Sequence, residues 1–144
     1  MKALQSALLM AGLGLGLAVQ AANYKVETLA EGLEFPWSLA FLPEGGMLVT
    51  ERAGRLRVVD TEGRLQAEPL SGVPEVLAER QGGLLEVALD PEFAENRRLF
   101  LSYACGTVEA NNTCLASARL VDGALQHVQE IFRACFTKRG GVHY

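Results

Sequence analysis

A chain of 144 residues that is 49% hydrophobic and 21% charged has the composition of an ordinary globular protein, not of a disordered or collagenous one. With 13 basic residues against 17 acidic ones, a formal net charge of -4, it lacks the electrostatic basis for backbone-driven nucleic-acid binding. No basic block suits an anionic membrane surface, and the length allows one domain at most.

Residues 1–21 read as an export signal. Lys2 supplies a positive start, and Leu4 opens a nearly continuous apolar run to Val19 that contains Gly12, Gly14 and Gly16. Val19-Gln20-Ala21 then gives a small-x-small cleavage pattern. A membrane anchor is the alternative, but a spanning helix needs roughly 20 apolar residues. This run is shorter, rich in glycine and followed by polar residues. Cleavage leaves residues 22–144 in the periplasm or outside the cell, with no stable membrane insertion, in a compartment where disulfides persist.

The remainder is organised as short strands. Residues 24–29 alternate like an exposed strand, and residues 38–42 stop at the turn Pro43-Glu44-Gly45-Gly46. Residues 47–51 resume extended structure, and Ala53-Gly54 turns them into residues 55–59. Asp60-Thr61-Glu62-Gly63 turns again before a short strand at 64–66. Residues 84–89, 98–103, 114–120 and 125–132 form a second set, with single helical turns expected at 75–80 and 91–94. The pattern is all-β and mostly antiparallel.

A weak internal repeat sharpens the fold. Ala40-Phe41-Leu42-Pro43-Glu44 aligns with Ala88-Leu89-Asp90-Pro91-Glu92, 48 residues on. Four short strands in about 45 residues is the period of a propeller blade. Two blades cannot close a ring, and a sandwich of eight strands is the alternative.

Cys105 and Cys114 bracket a polar loop between two expected strands and are placed to form a disulfide, while Cys135 is left over. There is no CxxC motif and only 2 histidines, so no metal site is expected here. Asn111-Asn112-Thr113 has the letters of a glycosylation acceptor. Trp37 is expected in the core, His127 on the surface, and Arg52, Arg55 and Arg57 on a solvated strand face. Asp60, Asp90 and Asp122 each lie beside turn residues and form no cluster at metal-binding spacing.

Residues 32–45 (GLEFPWSLAFLPEG), 47–56 (MLVTERAGRL) and 81–93 (QGGLLEVALDPEF), in that order, resemble the opening of the soluble PQQ-dependent sugar dehydrogenases, the glucose/sorbosone dehydrogenase family. Residues 96–103, Ile131-Phe132-Arg133 and the final Gly140-Gly141-Val142-His143-Tyr144 extend the match. The resemblance implies a six-bladed β-propeller with quinone and sugar above the central channel. Family members are usually more than twice this length, so the chain reads as the signal plus the first two blades of such an enzyme.

The resemblance also assigns roles. His143 matches the general base that takes the anomeric proton while hydride passes to the quinone, a task that suits an imidazole. Gln81 matches a residue in contact with PQQ, and Gly82-Gly83 beside it would let backbone approach the planar ligand. Val142 departs from relatives that carry an Asp before the base. Calcium supports the cofactor in relatives, with ligands expected beyond residue 144. The implied reaction is oxidation of an aldose to its lactone with an external electron acceptor, the chain alone being inactive. The competing readings are a non-catalytic binding or structural propeller fragment and a hydrolase in which His143 activates water.

Overall fold

The computed structural model describes residues 24–142; the expected signal at 1–21 and His143 lie outside the described residues. Three strands, β1 (Pro36–Phe41), β2 (Met47–Glu51) and β3 (Arg55–Val59), form one antiparallel sheet in chain order. Four more, β4 (Leu84–Leu89), β5 (Arg98–Gly106), β6 (Asn111–Val121) and β7 (Ala124–Arg133), form a second. A single helical turn, α1 (Phe93–Asn96), joins β4 to β5. Each sheet is an uninterrupted meander, and no strand crosses from one to the other. That topology separates two consecutive propeller blades from a Greek-key sandwich. The all-β, two-blade fold expected from the repeat is the one observed.

Alternation along the strands builds the core between the sheets. Leu48 of β2 and Leu56 of β3 point across to Leu84 and Val87 of β4 and to Leu99, Leu101 and Tyr103 of β5. Cys114, Ala116, Ala118 and Leu120 of β6 and Leu125 of β7 complete the same cluster. Burying residues of this kind supplies roughly 1.5–3 kcal/mol per large side chain before entropy is counted. Polar contacts fix the register between the blades. The Thr50 hydroxyl, fully buried, donates to the Leu85 carbonyl at 2.6 Å, and the Ser38 hydroxyl donates to Glu86 Oε1 at 2.8 Å.

Several local expectations change. Residues 24–29 form no strand, and Tyr24 and Val26 are almost fully exposed, because no partner edge meets them. Residues 64–66 contribute only the isolated bridge Val59↔Leu65. Residues 75–80 are not helical, since Leu77 donates its N–H to Ala104 instead of to a local turn. The helical turn expected at 91–94 is shifted to 93–96, and Arg97 closes it in the left-handed conformation.

Trp37 is half exposed and lines a groove of about 540 Å³ with Leu33, Leu39 and Val49 on the outer face of the first sheet. Its expected core packing is not observed: the 27–33 segment borders the same groove but leaves the indole half exposed. Arg57 also departs from a solvated face: it is buried and donates to Gln66 O at 2.8 Å and Ala67 O at 3.3 Å. Its counter-charge is Glu51, fully buried, which the charge pattern of the arginines did not reveal.

Candidate active site

Antiparallel registers place the ends of the strands in two groups. Glu51 faces Arg55, Leu84 faces Tyr103, Gly106 faces Asn111 and Cys114 faces Arg133. One end of both sheets therefore carries the segments 33–35, 52–54, 79–83, 106–110 and 134–142. Gln81 and the run that leads to His143 meet at this end.

Arg52 ties the blades together there. Its carbonyl accepts the Leu84 N–H at 3.1 Å, its Nη1 donates to the Arg80 carbonyl, and its guanidinium stacks 4.6 Å from the centroid of the Phe35 ring. Gly83 lies against it with φ near 137°, and a Cβ at that position would stand 2.0 Å from the Arg52 carbonyl oxygen. Gly82 is enclosed in turn by the Leu77 and Glu79 carbonyls. Both glycines are buried, and the protein atoms packed against them already leave no room for a side chain.

Gln81, by contrast, is exposed. Its backbone N–H donates to the Gly141 carbonyl at 2.9 Å, and the Gly82 N–H donates to the same oxygen at 3.1 Å. Gly141 is buried, and a Cβ there would meet the Glu79 carbonyl oxygen at 2.0 Å. Two segments that lie 60 residues apart are thus joined by a forked hydrogen bond, two positions before His143. His143 itself lies outside the described residues. Val142, half buried, brings no carboxylate to this position.

Two asparagines support this junction. Asn111 is fully buried, and its Nδ2 donates to Gly140 O at 2.7 Å and Thr107 O at 3.1 Å. Asn112 Nδ2 donates to Ala134 O at 2.8 Å. The acceptor letters at Asn111 therefore describe a buried side chain with its amide in use, and a glycan there is incompatible with the fold. Sequence reading missed this role because the partners lie as far as 29 residues away.

Cys105 and Cys114 form the expected disulfide, joining β5 to β6 with their Cα atoms 6.0 Å apart. Cys135 is free and exposed. A Glu130 carboxylate oxygen lies within 4.8 Å of both bridged sulfurs, but a disulfide offers no thiolate to bind a metal ion. Beside the bridge is a cleft of about 550 Å³ lined in part by Tyr103, Glu130 and Arg133. Burial, then the nearby Glu130 carboxylate, pushes the Tyr103 hydroxyl above its ordinary pKa, while the Arg133 guanidinium holds Glu130 below the ordinary range. His127 is exposed with φ near 51° in β7, where the β6–β7 register shifts, away from the Gln81 junction.

No helix among the described residues is long and apolar enough to cross a membrane. Comparison with known proteins bears on the remaining question. The chain is 46% identical over 127 residues to the Escherichia coli aldose sugar dehydrogenase YliI, covering 85% of this chain and 34% of that protein. A glucose dehydrogenase of known structure superposes with a TM-score of 0.78 at 46% identity, covering 83% of this chain and 38% of the other. The PQQ-bound aldose sugar dehydrogenase of Streptomyces coelicolor is similar at a TM-score of 0.61 and 30% identity, over 76% and 33% of the two chains. The chain spans about a third of the length of the curated relatives it matches. The family profile of glucose/sorbosone dehydrogenases matches residues 33–144. On the strength of that match and of the two-blade fold, this chain belongs to the glucose/sorbosone dehydrogenase family.

Proposed function

We propose that this chain is the exported first part of a PQQ-dependent enzyme that oxidises an aldose at its anomeric carbon to the lactone. The observation that carries the reading is the forked hydrogen bond from Gln81 and Gly82 to the Gly141 carbonyl. It unites the two short segments that resemble a quinone contact and a general base, which nothing in sequence spacing requires to meet.

The groups at this end suit a flat, carboxylated quinone. Gln81 is exposed and offers both an amide donor and an acceptor, and the Arg52 guanidinium, bonded to the Arg80 carbonyl, brings positive charge to the same loop. Bound there, PQQ would supply the acceptor for the hydride of the sugar C1. The chain's own work is orientation and proton removal. Gln81 would hold the cofactor edge, and the neutral His143 imidazole would take the proton of the anomeric hydroxyl as C1 is oxidised. Val142, the residue before it, brings no carboxylate to orient the base. Calcium and an external electron acceptor are needed from outside these two blades.

The test is a chimera that joins residues 22–144 to the remaining portion of the Escherichia coli relative, reconstituted with PQQ and calcium and assayed with aldoses and a reducible dye. Gln81→Ala is expected to weaken PQQ binding about tenfold, the loss of one good hydrogen bond. His143→Ala is expected to cut turnover by about 10²–10⁴ and leave PQQ affinity unchanged. A chimera that binds no PQQ overturns the reading. Unchanged turnover in His143→Ala removes the base.

A further inference from the structure

We propose that Asn111 is a positioning residue for this site: its buried amide fixes the 138–141 segment and, through the Gly141 carbonyl, the backbone of Gln81. The inference takes its catalytic meaning from the reading above, though its geometry stands alone.

Asn111 is the first residue of β6 and is fully buried. Its backbone forms a two-bond bridge with Lys138, donor to acceptor in both directions at 2.9 Å. Its Nδ2 faces the carbonyls of Gly140 at 2.7 Å, Thr107 at 3.1 Å and Val108 at 3.5 Å. Three acceptors around one side-chain nitrogen settle which way the amide is turned. The Gly140 N–H returns a bond to Val108 O at 2.8 Å, so the 107–111 and 138–140 segments are cross-braced.

Two features set this apart from ordinary strand pairing. First, the brace lies directly before Gly141, whose carbonyl holds Gln81 and Gly82. The 138–141 segment is consequently pinned from both sides, by Asn111 on one and by the Gln81 loop on the other. Second, the side-chain nitrogen carries the contacts of Asn111, while Oδ1 is buried with no hydrogen-bond partner among the described residues. The value of Asn111 lies in its donor half, and that half is spent on the two segments that frame the site.

The prediction is read by residue-resolved amide hydrogen exchange, expressed as protection factors, on the oxidised 144-residue chain. Asn111→Ala is expected to lower protection at Gln81 and Gly82 about tenfold more than at Leu101 in β5. Val87→Ala serves as the control, since it loosens the same core and alters no bond of the brace; there protection should fall evenly. Asn111→Asp keeps the shape but, once ionised, turns a donor into an acceptor facing carbonyls. Burial against carbonyl oxygens raises such a carboxyl above its ordinary range, and protonation restores one O–H donor, so protection at Gln81 should recover as pH falls and the side chain is neutralised. If Asn111→Ala does not fold, the pH response of Asn111→Asp carries the test. Loss at Gln81 and Gly82 in step with Leu101, or no pH response in Asn111→Asp, overturns the proposal. Failure of the chimera to bind PQQ would instead overturn the functional reading and leave this brace untouched.

Discussion

The two ends of the paired sheets are built on different principles. At the end away from the candidate site, each turn satisfies itself. Asp60 Oδ1 accepts the N–H groups of Glu62 and Arg64, both at 2.9 Å, and Asp90 Oδ1 accepts the Glu92 N–H at 2.9 Å. The Gly45 N–H closes onto Leu42 O at 2.9 Å. Between the blades that end has the Arg97–Glu44 ion pair, 2.9 Å long and partly exposed, and one backbone bond, the Leu125 N–H donating to Ser71 O at 2.8 Å. At the site end the bonds are long-range. Arg52 holds the 80–84 loop, Gly141 holds Gln81 and Gly82, Asn111 holds Gly140, and the Glu34 N–H reaches Glu51 Oε1 at 2.6 Å. An end made of local turns can tolerate change one turn at a time, whereas an end made of interlocked segments cannot.

The largest expected effect follows from that interlocking. Gly83→Ala forces a Cβ to within 2.0 Å of the Arg52 carbonyl, a backbone atom, at a φ that L-residues rarely adopt. The blades must separate locally or the Leu84–Arg52 bond must break. A loss of about 3 kcal/mol is expected, read as a shift in the urea midpoint with little change in slope. The matching change at the other end, Gly123→Ala, meets no atom within 4 Å and carries only the φ penalty. Its cost should be about 1 kcal/mol. Equal losses would erase the distinction between the two ends.

Removing the Cys105–Cys114 bridge comes next in size. The bridge closes a separation of 9 residues beside the loop that Asn111 braces. Chain entropy gives about 2–3 kcal/mol for a loop of this size. The double variant Cys105→Ser with Cys114→Ser should lose that amount against the oxidised chain in denaturant titrations. Protection at the site end, at Gly82 and Ala104, should fall more than at Arg64. A uniform loss would mean that the bridge stabilises the whole chain and not this end.

The same contrast explains what could be read from sequence. Pro43-Glu44-Gly45-Gly46, Asp60-Thr61-Glu62-Gly63 and Asp90-Pro91 are turn signals whose chemistry is complete within four or five residues, and the strands beside them at 47–51, 55–59 and 84–89 are found where expected. The disulfide was readable for a similar reason, since its cysteines flank one hairpin. Glu51, Asn111 and the inward turn of Arg57 were not readable, because their partners come from other strands and only burial reveals them. Gly82 and Gly83 stand out in the sequence, but no local pattern shows that the Arg52, Leu77 and Glu79 carbonyls crowd them. Trp37 failed in the opposite direction, since the segment bordering its groove leaves it half exposed.

Acid provides the smallest and most local probe. Asp60 is held below the ordinary carboxyl range chiefly by the Arg64 backbone N–H, with the Glu62 N–H and the Arg64 guanidinium adding to it. A carboxylate whose folded pKa is depressed contributes stability in full above its unfolded pKa, near 3.8, and loses it as pH falls through the lower folded value. Glu51 is also held low: burial raises it, and the Glu34 N–H and Arg55 more than offset that. Glu51 is present in wild type and in Asp60→Asn alike, so the difference between the two chains isolates Asp60. Above the unfolded pKa, Asp60→Asn should be slightly less stable than wild type, and the gap should close as pH falls through the depressed folded pKa and the wild-type carboxyl is neutralised. The substitution should weaken protection at Arg64, whose N–H loses its charged acceptor, and leave Gln81 and Gly82 unchanged. If Gln81 and Gly82 loosen along with Arg64, the self-contained end is mechanically coupled to the site, and the proposed independence of the two ends fails.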